Sequence, residues 1–167
     1  MATWSVLDVS GSDSNNCRLL PQEAVQDANE ALGGDVYFNT TSGLGIILAQ
    51  ALQGQTDELL DRNLPAFVAD TVNSTKISVR IQFQDHEPYY NRQVTVLRVL
   101  RGTTEAITLG KLAEKIAQET QKYLKGQLAL EIGGYHFSFE EIFLWRLRRA
   151  TRGSWQPEFY VRVSGQA

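Results

Sequence analysis

A chain of 167 residues with 43% hydrophobic and 21% charged residues is long enough to bury one core, so it reads as one globular domain with an appended arm. Its single cysteine, Cys17, excludes an internal disulfide framework and a cysteine-based zinc site. No apolar run approaches the roughly 20 residues of a membrane helix, and the opening MATWSVLDVSGSDS lacks a basic segment followed by an apolar one. The expectation is a soluble protein of the cytoplasm, or of a virion if the source is a phage, with no membrane partner.

The net charge of −3 hides an asymmetry. Residues 1–74 hold two basic side chains, Arg18 and Arg62, against ten acidic ones; residues 75–167 hold fourteen basic against nine acidic. Opposite signs in the two halves point to an acidic arm against a basic face, in one chain or between neighbours, or to nucleic acid on the basic face.

In the first half, Trp4, Val6, Leu7 and Val9 suit a short strand. Pro21 opens a helix over residues 21–32 that Gly33-Gly34 stops, and residues 35–39 are extended. Ser42 caps a helix carrying Leu44, Ile47, Leu48, Ala51 and Leu52; Thr56, with Asp57 and Glu58, starts another that Pro65 ends. Large apolar residues are sparse here, so residues 1–74 read as an acidic arm or cover of helices and extended segments.

From Thr75 the alternation of Ile77, Val79, Ile81 and Phe83 predicts a half-buried antiparallel strand. The turn at residues 85–91 leads to a return strand over residues 92–101 with a bulge near Val96-Leu97. Thr108 caps a helix whose Leu109, Leu112, Ala113, Ile116, Ala117, Tyr123 and Leu124 make one stripe. Leu128, Leu130 and Ile132, then Gly133-Gly134, then Tyr135 and Phe137, predict a two-residue hairpin pairing Ile132 with Tyr135, Leu130 with Phe137 and Glu131 with His136.

Ser138 followed by Glu141 matches a capping box, which predicts a helix over residues 138–151, ended by Gly153. Phe139, Ile142, Phe143, Leu147 and Ala150 form its core face, leaving Trp145 among Glu141, Arg148, Arg149 and Arg152. A last strand follows Pro157 with Phe159, Val161 and Val163 on one face. The second half, residues 75–167, is thus an α+β core domain in the order ββαββαβ: a mostly antiparallel sheet covered by two helices, behind a helical and extended N-terminal arm.

Chemistry-bearing sets are few. Asp85-His86-Glu87 places three metal-capable groups in one loop, but ligands on a single hairpin tip rarely converge. Glu131 opposite His136 could orient a general base, although such pairs more often only stabilise a sheet. Cys17 has no base near it in sequence. Gly43-Leu44-Gly45 lacks the third glycine of a dinucleotide loop, and no Walker A, HExxH or GxSxG motif occurs. The expectation is therefore no catalytic set, no metal and no cofactor.

The binding candidates are Arg98 and Arg101 on the return strand, with Trp145, Arg148, Arg149, Arg152 and Trp155 near the C-terminus. Tryptophan beside arginine marks interface hot spots and also marks arginine-stacked surfaces satisfied within one domain. Two functions follow from this reading, ahead of a third, an enzyme using His136 with Glu131, or His86. The first is a non-enzymatic subunit of a larger assembly, such as a phage connector or tail-type particle, with head-to-tail contacts between acidic arm and basic face; its partners are further copies of itself or other subunits. The second is a nucleic-acid-binding accessory protein using the arginine-rich segment, which the acidic balance, pI ≈ 5.4, disfavours.

Overall fold

The computed structural model describes residues 4–6, 16–25, 28–29, 32–68, 71–72, 74–86 and 90–162. Short strands open the chain: β1 (Ser5–Val6), β2 (Cys17–Leu19), β3 (Val36–Tyr37), β4 (Asn39–Thr40), β5 (Gly43–Leu44) and β6 (Ile46–Ile47), then the single-turn helix α1 (Leu48–Leu52). The longer elements follow: β7 (Lys76–Ile81), β8 (Tyr90–Thr95), β9 (Leu97–Leu100), β10 (Thr103–Ala106) and helix α2 (Leu109–Tyr123). The chain closes with β11 (Ala129–Ile132), β12 (Tyr135–Ser138), β13 (Ile142–Thr151) and β14 (Ser154–Arg162).

The fold is mostly β, and this corrects the expected α+β sheet covered by two helices. Among the described residues only α2 is a long helix. The expected helix over residues 138–151 is strand β13, and its pairing with β14 is the centre of the molecule. The register shifts between Leu144 and Arg146 and again between Arg149 and Thr151. Each shift adds one residue, Trp145 and Ala150, that opposes no partner. The buried positions Ile142, Leu144, Leu147 and Ala150 are therefore spaced two, three and three apart. Bulges give a strand the spacing that otherwise belongs to a helix.

One of the two capping-box contacts forms, Ser138 N–H donating to Glu141 Oε1 at 3.1 Å, while Ser138 Oγ donates to the same oxygen at 3.1 Å instead of accepting from Glu141 N–H. They close a turn, with Glu141 N–H donating to Ser138 O at 2.9 Å, and the chain leaves that turn extended. Other helical expectations fail for shorter reasons. Residues 43–47 pair as strands before α1, and residues 57–64 are successive turns. Of the expected helix at residues 21–32, the segment 21–25 is non-helical with Gln22 bridging Phe83, while residues 26–27 and 30–31 lie outside the described set.

Both strands of the central hairpin are lined by residues from the first half of the chain. β3 and β6 pair antiparallel with β13, and β2 pairs antiparallel with β14. β7 adds to the other end of β14 in parallel and carries β8 antiparallel. Between β2 and β7 the edge of β14 is covered by residues 20–22. Leu20 N–H donates to Phe159 O at 2.9 Å, and Gln22 Nε2 donates to Pro157 O at 2.6 Å. This is why a proline is tolerated inside a central strand: its missing N–H faces the gap, not the β13 ladder.

The inward face of the sheet, with Leu144, Leu147, Trp155, Phe159, Val161, Ile77, Val79 and Ile81, packs with the buried stripe of α2 in one core. Leu112, Ala113, Ile116 and Ala117 of that stripe are fully buried, each large aliphatic contributing about 1.5–3 kcal/mol. Thr108 accepts from Lys111 N–H at 3.3 Å as the expected N-cap. Gly45, with φ of +83°, lets the chain cross from β5 to β6 against Tyr160 and the Leu144 carbonyl, where no side chain would fit. No helix among the described residues is long and apolar enough to cross a membrane.

Candidate interaction surfaces

Most of the arginines near the C-terminus are engaged by their own fold. Arg146, Glu158, Arg148 and Gln156 share the outer face of the central hairpin through the pairs Arg146↔Glu158 and Arg148↔Gln156. Arg146 Nε donates to Glu158 Oε1 at 2.5 Å, its Nη1 lies 3.7 Å from Asp35 Oδ2, and Arg148 Nη2 donates to Gln156 Oε1 at 3.0 Å. Burial alone would lower the affinity of the Arg146 guanidinium for its proton. The hydrogen bond and charge of Glu158, with the Tyr37 hydroxyl, more than offset this and hold it above its usual value.

Arg149 caps carbonyls: its Nη2 donates to Thr71 O at 3.3 Å and Arg152 O at 3.1 Å, and its guanidinium lies 5.3 Å from the centre of the Trp155 ring. Trp155 itself is 1% exposed and packs edge-on against Phe67, so it offers no face to a partner. Trp145, the first bulged residue, is half-buried; Tyr37 meets it edge-on at 6.1 Å and Arg146 lies over it at 4.2 Å. Of this group only Arg152, in the exposed β13–β14 turn, points into solvent. The pattern that reads as a binding helix in sequence is a strand with cross-strand ion pairs.

Arg98 and Arg101 stand elsewhere, on a hairpin that the sequence reading did not separate from the return strand. β8 ends at Thr95, and β9 and β10 pair only with each other among the described residues. Arg101 (φ +51°) and Gly102 (φ +78°) make the two-residue turn, the left-handed pair that a tight hairpin requires. Apart from half-buried Leu97, every residue of both strands is exposed, including Val99 at 65% and Leu100 at 56%. The available signal was Arg101-Gly102 between β-branched runs, a weaker turn cue than Asn-Gly.

At the base of this hairpin, against the first turns of α2, lies a crevice of about 190 Å³ lined by Arg98, Glu105, Thr108, Lys111 and Lys115. Lys115 Nζ donates to Thr95 O at 3.1 Å. Burial, and then the charges of Arg98 and Lys111, push its ammonium below the usual lysine value, partly opposed by Glu119. Positive charge is concentrated here.

The Asp85-His86 loop lies beside the β11–β12 hairpin, so the candidate chemical groups come near one another. His136 Nδ1 lies 3.7 Å from Glu131 Oε1 with both side chains mostly in solvent, as a cross-strand pair. The His86 ring meets the Glu131 backbone carbonyl, while Glu87 lies outside the described residues. Among the described residues no group of three His, Cys, Asp or Glu side chains could hold a metal ion. Cys17 is buried beside Tyr160. No family model matches this chain, and neither a curated protein nor a solved structure matches it.

Proposed function

We propose that this protein is a non-enzymatic subunit of an assembly, and that its copies associate through the β9–β10 hairpin. The observation that carries this reading is the hairpin itself. Isolated two-stranded ribbons are marginal in water, and an open edge beside exposed Val99 and Leu100 is the kind of surface that monomers avoid. Arg98 and Arg101 beside those apolar groups supply interface chemistry. The nucleic-acid alternative loses ground because Arg148 and Arg149 spend their hydrogen bonds on Gln156, Thr71 and Arg152.

The test is solution mass by light scattering, compared with V99S/L100S, which touches only exposed side chains. The expected result is a wild-type mass above the 18.7 kDa of one chain and a variant that dissociates with its fold intact by circular dichroism. A wild-type protein that stays monomeric at every concentration overturns the proposal.

A further inference from the structure

The acidic half of the chain lends the hairpin a neighbour. Residues 62–66 run alongside residues 107–110: Ala66 N–H donates to Ile107 O at 2.9 Å, Leu109 N–H to Leu64 O at 3.0 Å, and Gly110 N–H to Arg62 O at 2.9 Å. The turns leading into that contact expose Asp57, Glu58 and Asp61 together with Leu60 (47%), and the contact itself leaves the Leu64 side chain 56% exposed. An acidic, apolar loop therefore sits next to the base of a basic, apolar hairpin.

The two patches do not neutralise each other within the chain. Asp57 is held by Arg62 at 2.8 Å and Lys111 by Glu114 at 3.3 Å. Glu58, Asp61, Arg98 and Arg101 make no ion pair among the described residues. Adjacent patches of opposite sign are self-complementary under a two-fold rotation, which lays each onto its opposite in the other copy.

We propose that the partner of the β9–β10 hairpin is the acidic loop at residues 57–64 of a second copy of this chain, in a two-fold contact made twice. This rests on the assembly reading and names its geometry. Leu100 of one copy, on the same face of β9 as Arg98, meets Leu60 and Leu64 of the other, and the crevice at Arg98, Lys111 and Lys115 receives carboxylates from Asp57 and Glu58.

Two charge reversals test this, R98E/K111E and D57K/E58K, with mass and dissociation constant measured by analytical ultracentrifugation. Each variant alone is expected to self-associate about tenfold or more weakly than wild type. The two mixed in equal amounts are expected to recover association, because both contacts are then again of opposite sign. The wild-type mass should settle at an even number of copies and fall as salt is raised.

If V99S/L100S dissociates the protein while neither reversal does, or mixing restores nothing, the acidic loop is not the partner and the assembly reading survives. Growth to odd-numbered or open-ended species overturns the two-fold geometry. A monomeric wild type sinks both ideas. Thermal melts of each variant separate lost association from lost folding.

Discussion

Arg146 Nε and Glu158 Oε1 lie 2.5 Å apart across the central hairpin, with side chains only 22% and 16% exposed. The pair ties β13 to β14, and the contact of Arg146 with Asp35 reaches the segment before β3.

Removing one partner strands the other charge in a largely desolvated position. R146M should cost about 3 kcal/mol by urea unfolding, whereas R146M/E158L, which removes both charges, should cost clearly less. Equal losses from the single and double variants would show that the pair contributes nothing beyond its packing.

The two C-terminal tryptophans should behave oppositely. W155A empties a fully buried position and should cost about 3–5 kcal/mol, while W145A at the half-buried bulge should cost about 1 kcal/mol. Iodide quenching checks the same contrast through solvent access: emission in W145F should be shielded more than emission in W155F.

Gly45→Ala should be among the more damaging small substitutions. Its φ of +83° disfavours any side chain, and an added Cβ would lie 2.9 Å from the Tyr160 ring and 3.0 Å from the Leu144 carbonyl. Positive φ alone costs about 1–2 kcal/mol, so the total should exceed 2 kcal/mol by thermal melting. A neutral outcome would mean that the β5–β6 crossing can shift away from β13.

Tyr90 gives a pH dependence with a defined sign. Burial first, then the hydrogen bond and charge of Glu119, push its phenol from 10.0 up to about 12. The neutral phenol is favoured in the folded state, so the contribution is whole below the unfolded value of 10.0 and is lost as pH rises toward 12. Wild type should therefore lose stability over that window more steeply than Y90F, as read from urea midpoints at each pH. Parallel curves would rule out Tyr90 as the source.

Sequence patterning was enough for elements whose contacts are local. The β11–β12 register came out residue for residue, because a Gly-Gly turn with alternating flanks leaves one pairing that hides Leu130, Ile132 and Phe137. The same holds for α2, where a capping threonine and a single stripe of aliphatics suffice, and for β7, whose alternation matches its burial.

What only the tertiary structure decided lies in the central hairpin and the surfaces around it. Ser138 and Glu141 make a local contact compatible with either a helix or a turn, and the two bulges give Leu144, Leu147 and Ala150 helical spacing. The choice fell to β2, β3, β6 and β7, remote segments that satisfy the backbone groups of β13 and β14. The candidate surface divides the same way. Charge asymmetry between the halves was plain from composition, yet a count of charges does not say which arginines already have partners. Glu158, Gln156 and the Thr71 carbonyl claim Arg146, Arg148 and Arg149, and the hairpin turn at Arg101-Gly102 leaves Arg98 and Arg101 facing water. Local propensity sets an element when its neighbours are close in sequence; where the hydrogen-bonding partners are a hundred residues away, the fold decides.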